Sequence, residues 1–154
     1  MEVQIGLNKK IRQKVAEDLR RFLATTYALY LKSQNFHWNL VGSDFFSLHL
    51  LFEKHYEEMA DAIDEIAERI RALGFSVDGS FSAFQKLSEI ADSNQKKSQN
   101  QMIRELLKGH ETLSCMGRPL IHEFQKLHDD VSSDLLIKRL AFHEKAAWML
   151  RSHL

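Results

Sequence analysis

The chain has 154 residues, 44% hydrophobic and 27% charged, which is enough for a sizeable core within one domain spanning 1–154. Its 21 Lys and Arg are matched by 21 Asp and Glu, a balance that gives no global attraction to nucleic acid or to an anionic membrane. The lone Cys115 excludes an internal disulfide framework, and no apolar run has signal-peptide or membrane-spanning length, so a cytoplasmic protein is expected.

One Pro and 6 Gly in this length argue for helices. The first helix is expected from Asn8 to Gln34, with Ile11, Val15, Leu19, Phe22, Leu23, Tyr27, Tyr30 and Leu31 at helical spacing. The turn "NLVGSD" follows, where Ser43 or Asp44 can cap the next helix by accepting from its free N–H groups. That helix runs to Leu73 and stops at Gly74. "GFSVDGS" reads as loop, and "FSAFQKLSEIA" as a short helix inside a long connection. A third long helix is expected from Gln95 to Leu127, kinked at Pro119. "HDDVSSD" is a turn, and the last helix runs from Asp134 to the C-terminus. The pattern is all-α, a four-helix bundle with its crossover between the second and third long helices.

The second helix carries two faces. Leu48, Phe52, Tyr56, Met59, Ile63, Ile66, Ile70 and Leu73 fall within an arc of roughly 100°, the spacing of a bundle seam. His49, Glu53, Asp64 and Glu68 share a second arc with Ala60 and Ala67. An acidic arc is most often a solvated face, but this one is symmetric in number. The pair His49 and Glu68 and the pair Glu53 and Asp64 share one midpoint, between Glu58 and Met59. A second copy laid antiparallel across that midpoint puts His49 beside Glu68 of its neighbour, and Glu53 beside Asp64. Within one chain the two pairs stand about 22 Å apart at the helical rise, too far to share an ion. Two chains related by a two-fold axis complete two sites.

Imidazole with carboxylates suits iron(II), manganese or zinc rather than copper(I). His37 in "FHWNL" is brought toward His49 by the turn that folds the first helix back along the second. Trp38 beside it is easily oxidised. His55 points away from the ligand arc and reads as a surface residue. His110, His122, His128, His143 and His153 have no acid at convincing spacing.

The segment "FHWNLVGSDFFSLHLLFEKHYEEMADAIDEIAERI" closely resembles the signature region of the Dps family of mini-ferritins, and "HEKAAWMLRSHL" is similar to the family's final helix. The resemblance covers nearly the whole chain. It implies a ferritin-like bundle assembled into a hollow shell of twelve subunits. It also implies a ferroxidase that oxidises iron(II), preferably with hydrogen peroxide, and stores iron(III) mineral against oxidative damage. By the same resemblance the iron ligands are His37, His49 and Glu53 of one subunit with Asp64 and Glu68 of its two-fold neighbour. Glu53 departs from the family, where many members have Asp. Trp38 matches a Trp near the centre and is a candidate radical sink. Asp129 and Asp134 correspond to acids lining an entry pore, against a simpler role in helix capping.

The alternative is a non-enzymatic protein of the same fold that condenses DNA. Relatives that bind DNA often do so through a Lys-rich tail. Here "MEVQIGLNKK" offers only Lys9 and Lys10, with Glu2 opposing them, so DNA is the weaker partner. A conventional ferritin would carry Glu-x-x-His pairs inside each bundle, and this sequence has none.

Overall fold

The computed structural model describes residues 3–93 and 96–154. Glu2 and the expected third-helix start at Gln95 lie outside the described residues. Five helices follow in order: α1 (Lys9–Asn39), α2 (Phe45–Ala72), α3 (Phe81–Leu87), α4 (Gln99–Lys126) and α5 (Asp130–Arg151), with no strand among the described residues.

Helix α1 starts where Asn8 accepts from the Ile11 N–H at 3.0 Å. It continues past the expected end at Gln34 because Ser33, Phe36 and His37 carry its buried stripe onward. Ser33 lies in this buried stripe because its hydroxyl donates back to the Leu29 carbonyl at 2.8 Å. Asp44 stands at the N-cap of α2, but its side chain accepts no bond from the helix N–H groups. The Ser43 hydroxyl and the Gln99 amide donate to its carboxylate instead, tying the turn to the start of α4.

Helix α2 closes at Leu73, and Gly74 follows with φ +93, a conformation that favours glycine. The Arg12 guanidinium donates to the Leu73 carbonyl at 2.7 Å, so the start of α1 covers the negative end of α2. The short helix α3 is confined to seven residues; Ser88 to Ala91 leave it. Helix α4 is capped by the reciprocal Ser98 and Gln101 bonds and runs through Pro119 to Lys126.

Helix α5 begins at Asp130, four residues ahead of the expected Asp134. Asp129 is the cap: its carboxylate accepts from the Ser132 N–H at 3.0 Å and the Ser132 hydroxyl at 2.7 Å.

Helix α1 lies along α2 and α4 along α5, while α1 against α4 and α2 against α5 close the bundle. Helix α3 rests on α1. The core holds Leu19, Phe22, Leu23, Phe52, Met59, Ile66 and Phe124, all fully buried or nearly so. Each such side chain contributes about 1.5–3 kcal/mol of transfer free energy. The buried stripe of α2 is rotated toward Leu51, His55 and Ala62, leaving Tyr56 and Ile63 half-buried on its flank. That rotation places Tyr56 between the core and the ligand arc. No helix is long and apolar enough to cross a membrane, among the described residues.

Candidate metal centre

The turn from residue 40 to residue 44 sets the last turn of α1 against the first turns of α2. His37 and His49 meet there. Their rings stack with centroids 3.7 Å apart and planes 15° from parallel. Each Nδ1 lies against the other's backbone: His37 Nδ1 is 2.9 Å from the His49 carbonyl, and His49 Nδ1 is 3.1 Å from the His37 carbonyl. A carbonyl only accepts, so both imidazoles carry their proton on Nδ1 when neutral. Both Nε2 lone pairs are thereby left for a metal, with ring orientation set by the second bond.

Phe45 stacks on the outer face of His49 at 4.9 Å, and Tyr56 meets the edge of His37 at 5.3 Å. Phe45, His49 and His37 thus form a stack of three rings, with Tyr56 packed across its inner end. Phe45 and Tyr56 are contributors that ligand chemistry alone does not suggest. The one signal for Phe45 is its place four residues before His49, one turn away on the same face.

Glu53 lies one turn beyond His49 on α2 and is half-buried. Asp64 and Glu68 are exposed further along the same face. Ion pairs elsewhere engage many acids of the chain, yet among the described residues none of Glu53, Asp64 and Glu68 has a Lys or Arg partner. One chain brings His37, His49 and Glu53 to one end of α2 and leaves Asp64 and Glu68 about 22 Å away along the helix. Within one chain, no group of three His, Cys, Asp or Glu is placed to hold an ion, among the described residues. The donor set nonetheless fits iron, with two imidazole nitrogens at one end and hard carboxylate oxygens on the same face. Trp38 is 65% exposed.

The two acids expected at a pore occupy different settings. Asp129 is 2% exposed and accepts from the Arg69 guanidinium at 2.8 Å, in addition to capping α5. Asp134 is exposed and pairs with Lys138, one turn along the helix.

His55 is a correction: it is 3% exposed, not a surface residue. It lies in the centre of the bundle with His110 and His143, which are fully buried. His110 and His143 face each other through their Nδ1 atoms at 2.9 Å, and the His55 ring meets His110 edge-on at 5.3 Å. Phe22 of α1 and Phe142 of α5 pack on the cluster, and Arg139 pairs with Glu58 beside it. Burial, then the Lys54 ammonium, lowers the His55 pKa to about 4. Burial foremost also holds His110 and His143 well below the ordinary imidazole range, with Arg139 and the neighbouring imidazoles adding to it.

Residues 16–154 match the model of the ferritin-like domain. The chain is 38% identical to a low temperature-induced protein of Nostoc sp. over 97% of its own length and 85% of that protein. It is 34% identical to DNA protection during starvation protein 2 of Bacillus anthracis over 94% of its own length and 99% of that protein. The crystal structure of the Dps protein of Vibrio cholerae O1, described as a member of the ferritin-like diiron-carboxylate superfamily, superposes with TM-score 0.93. Identity to it is 30%, with 99% of this chain and 96% of that one covered.

Proposed function

The chain belongs to the Dps family of ferritin-like proteins, and from that premise we propose that it is an iron-storing ferroxidase whose sites form between two subunits. The observation that supports this most directly is the reciprocal bonding of His37 and His49, which leaves both Nε2 atoms free one turn before the half-buried Glu53 on α2. Iron(II) is the substrate. His37, His49 and Glu53 of one subunit bind it, and Asp64 and Glu68 of an antiparallel second copy complete the ligand set. Ala60 and Ala67 on the same face let the two helices approach closely.

The carboxylates favour the product, because hard oxygen donors stabilise iron(III) more than iron(II). Two irons held together supply both electrons that peroxide needs, so each peroxide and two protons give two waters without free hydroxyl radical. The oxidised iron passes to the interior of a closed homo-oligomer, for which twelve subunits is the expected number, and is stored as mineral. The longer arm of Glu53, where many relatives have Asp, moves its carboxylate further from the helix axis and changes the position of the second iron. Asp134, exposed on α5, is the acid retained for an entry pore, since the Asp129 carboxylate is held by Arg69 and Ser132.

The rival DNA-condensing role has little to recommend it. Lys9 and Lys10 sit inside the first turn of α1 and not on a tail.

Anaerobic titration with iron(II) followed by peroxide tests the reading. Rapid iron(III) absorbance is expected, and Glu53→Ala with His49→Ala should suppress it while the oligomer elutes unchanged. Oxidation at the native rate in that variant would remove the site assignment.

A further inference from the structure

Both bonds that orient the histidine pair cross from α1 to α2, so their lengths depend on how the turn between the helices seats one against the other. The turn does little to fix itself. Leu40 anchors it at 3% exposure, but Val41, Gly42, Ser43 and Asp44 are exposed. The backbone bond inside it, from the Phe45 N–H to the Gly42 carbonyl, is 3.3 Å long. A firmer hold comes from outside, at the first residue of α4. The Gln99 side-chain amide donates to the Asp44 carboxylate at 2.8 Å, and its carbonyl oxygen accepts from the Asp44 N–H at 3.3 Å. One carboxamide thus grips the N-cap residue of α2 at two points, from 55 positions away in sequence.

Three features mark this grip as favoured over the local alternatives. An Asp at an N-cap ordinarily accepts from the N–H groups of its own helix, and the Asp44 carboxylate gives up that role to face Gln99. Such a departure from local preference is expected where a functional site makes its own demand. Position 42 is Gly, and a Cβ there would collide with the Gln99 side-chain oxygen. The base of the grip is itself held. Ser98 and Gln101 cap α4 reciprocally, at 2.8 and 3.3 Å, and Glu105 of α4 takes both Lys97 and, on α1, Lys32. Gln99 therefore passes the position of the α1–α4 frame to the start of α2. His49 lies in the second turn of that helix, so a shift of Asp44 carries the imidazole with it.

We propose that Gln99 is a positioning residue for the metal centre. It holds the turn at the offset at which His37 and His49 each face the other's carbonyl, and so sets where their two Nε2 atoms stand relative to Glu53. The inference rests on the ferroxidase reading above. Gln99 acts through the backbone of the turn and not by contact with iron.

The test titrates cobalt(II) into the intact metal-free oligomer and reads both the affinity and the visible absorption of the bound ion, whose bands follow ligand geometry. Gln99→Leu removes both points of the grip. It is expected to weaken cobalt(II) binding about ten-fold, the lower end of what loss of an outer bond costs, and to shift the bands. Gln101→Ala breaks the cap of the same helix but leaves the grip, and should keep the native affinity and spectrum. Gln99→Glu sets a carboxylate against Asp44 and should weaken binding as well. Adding Asp44→Asn to it restores one carboxamide facing one carboxylate and should recover the native spectrum. Native affinity and bands in Gln99→Leu, equal damage from Gln101→Ala, or no recovery in the double variant would each overturn the proposal. Rapid iron oxidation by the wild-type protein would then leave the ferroxidase reading standing. A wild-type oligomer that neither binds cobalt(II) nor oxidises iron(II) removes that reading and this one with it.

Discussion

His37 and His49 each bond through Nδ1 to the other's backbone carbonyl, at 2.9 and 3.1 Å, while their rings lie stacked 3.7 Å apart. The relationship is reciprocal, so neither imidazole is oriented without the other. Replacing one with Ala removes a ligand and also releases the ring that remains. Loss of such an outer bond alone costs about 10–100-fold in metal affinity. The double variant His37→Ala with His49→Ala is therefore expected to bind cobalt(II), a spectroscopic stand-in for iron(II), little more weakly than either single variant. Effects that multiply would show that the two rings act independently.

Sites shared between subunits make a distinct expectation for mixed oligomers. When His49→Ala and Glu68→Ala subunits are combined, each mixed pair has one centre with both lesions and one with none. Random pairing across a two-fold contact then restores about a quarter of the centres. Initial rates of peroxide-driven iron oxidation measure this directly. Mixtures that stay as inactive as the two parents would place all the ligands of a centre on one chain.

Asp129 and Asp134 separate stability from uptake. Asp129→Ala removes the cap of α5 and leaves the Arg69 guanidinium without its carboxylate partner, with only the Ser132 hydroxyl accepting from it. Loss of the cap costs about 1 kcal/mol, and loss of the charged partner adds to it. A lowered thermal midpoint is expected for Asp129→Ala and none for Asp134→Ala, whose exposed pair with Lys138 is worth little. Asp134→Ala should instead slow iron entry, read as a lower oxidation rate at limiting iron(II). An equal rate in both proteins would remove Asp134 from the pore.

Much of this was legible in the residues. Periodicity placed the four long helices and the short one, and the ligand arc of α2 stood out because acids and a histidine recur at spacing four on a face that lacks leucine. The reciprocal bonding of His37 and His49 was hidden because its acceptors are backbone carbonyls, which every residue possesses. The late start assigned to α5 came from two acids that both look like caps. The pattern of Asp129 followed three residues on by Ser132 distinguishes the true one. The polar run near Gln34 resembled a helix end, but Phe36 and His37 keep the register of the buried stripe.

The surface placement expected for His55 fails for a physical reason that also yields the last prediction. His55 falls between Phe52 and Met59, His110 between Leu106 and Leu113, and His143 between Leu140 and Leu150, all in register with the apolar seams of α2, α4 and α5. Pointing away from the ligand arc suggested solvent for His55, whereas its register with the apolar seam indicates core. In the core the groups facing the cluster are cationic or apolar: Lys54 from α2, Arg139 from α5, and Phe22 from α1. The nearby Glu58 carboxylate is already held by the two terminal nitrogens of Arg139, at 2.6 and 2.7 Å. A proton gained there has no counter-charge. The folded-state pKa values lie below the ordinary imidazole value of 6.5, with His55 at about 4. An unfolded chain therefore takes up protons below pH 6.5 that the folded chain refuses, and stability present above that pH is lost as the pH falls. Each of the three groups adds to the steepness of that loss. Urea midpoints measured from pH 7 to pH 4 should drop steeply, and His110→Leu with His143→Leu should remove most of the slope. A slope unchanged in that variant would assign the acid sensitivity to other groups.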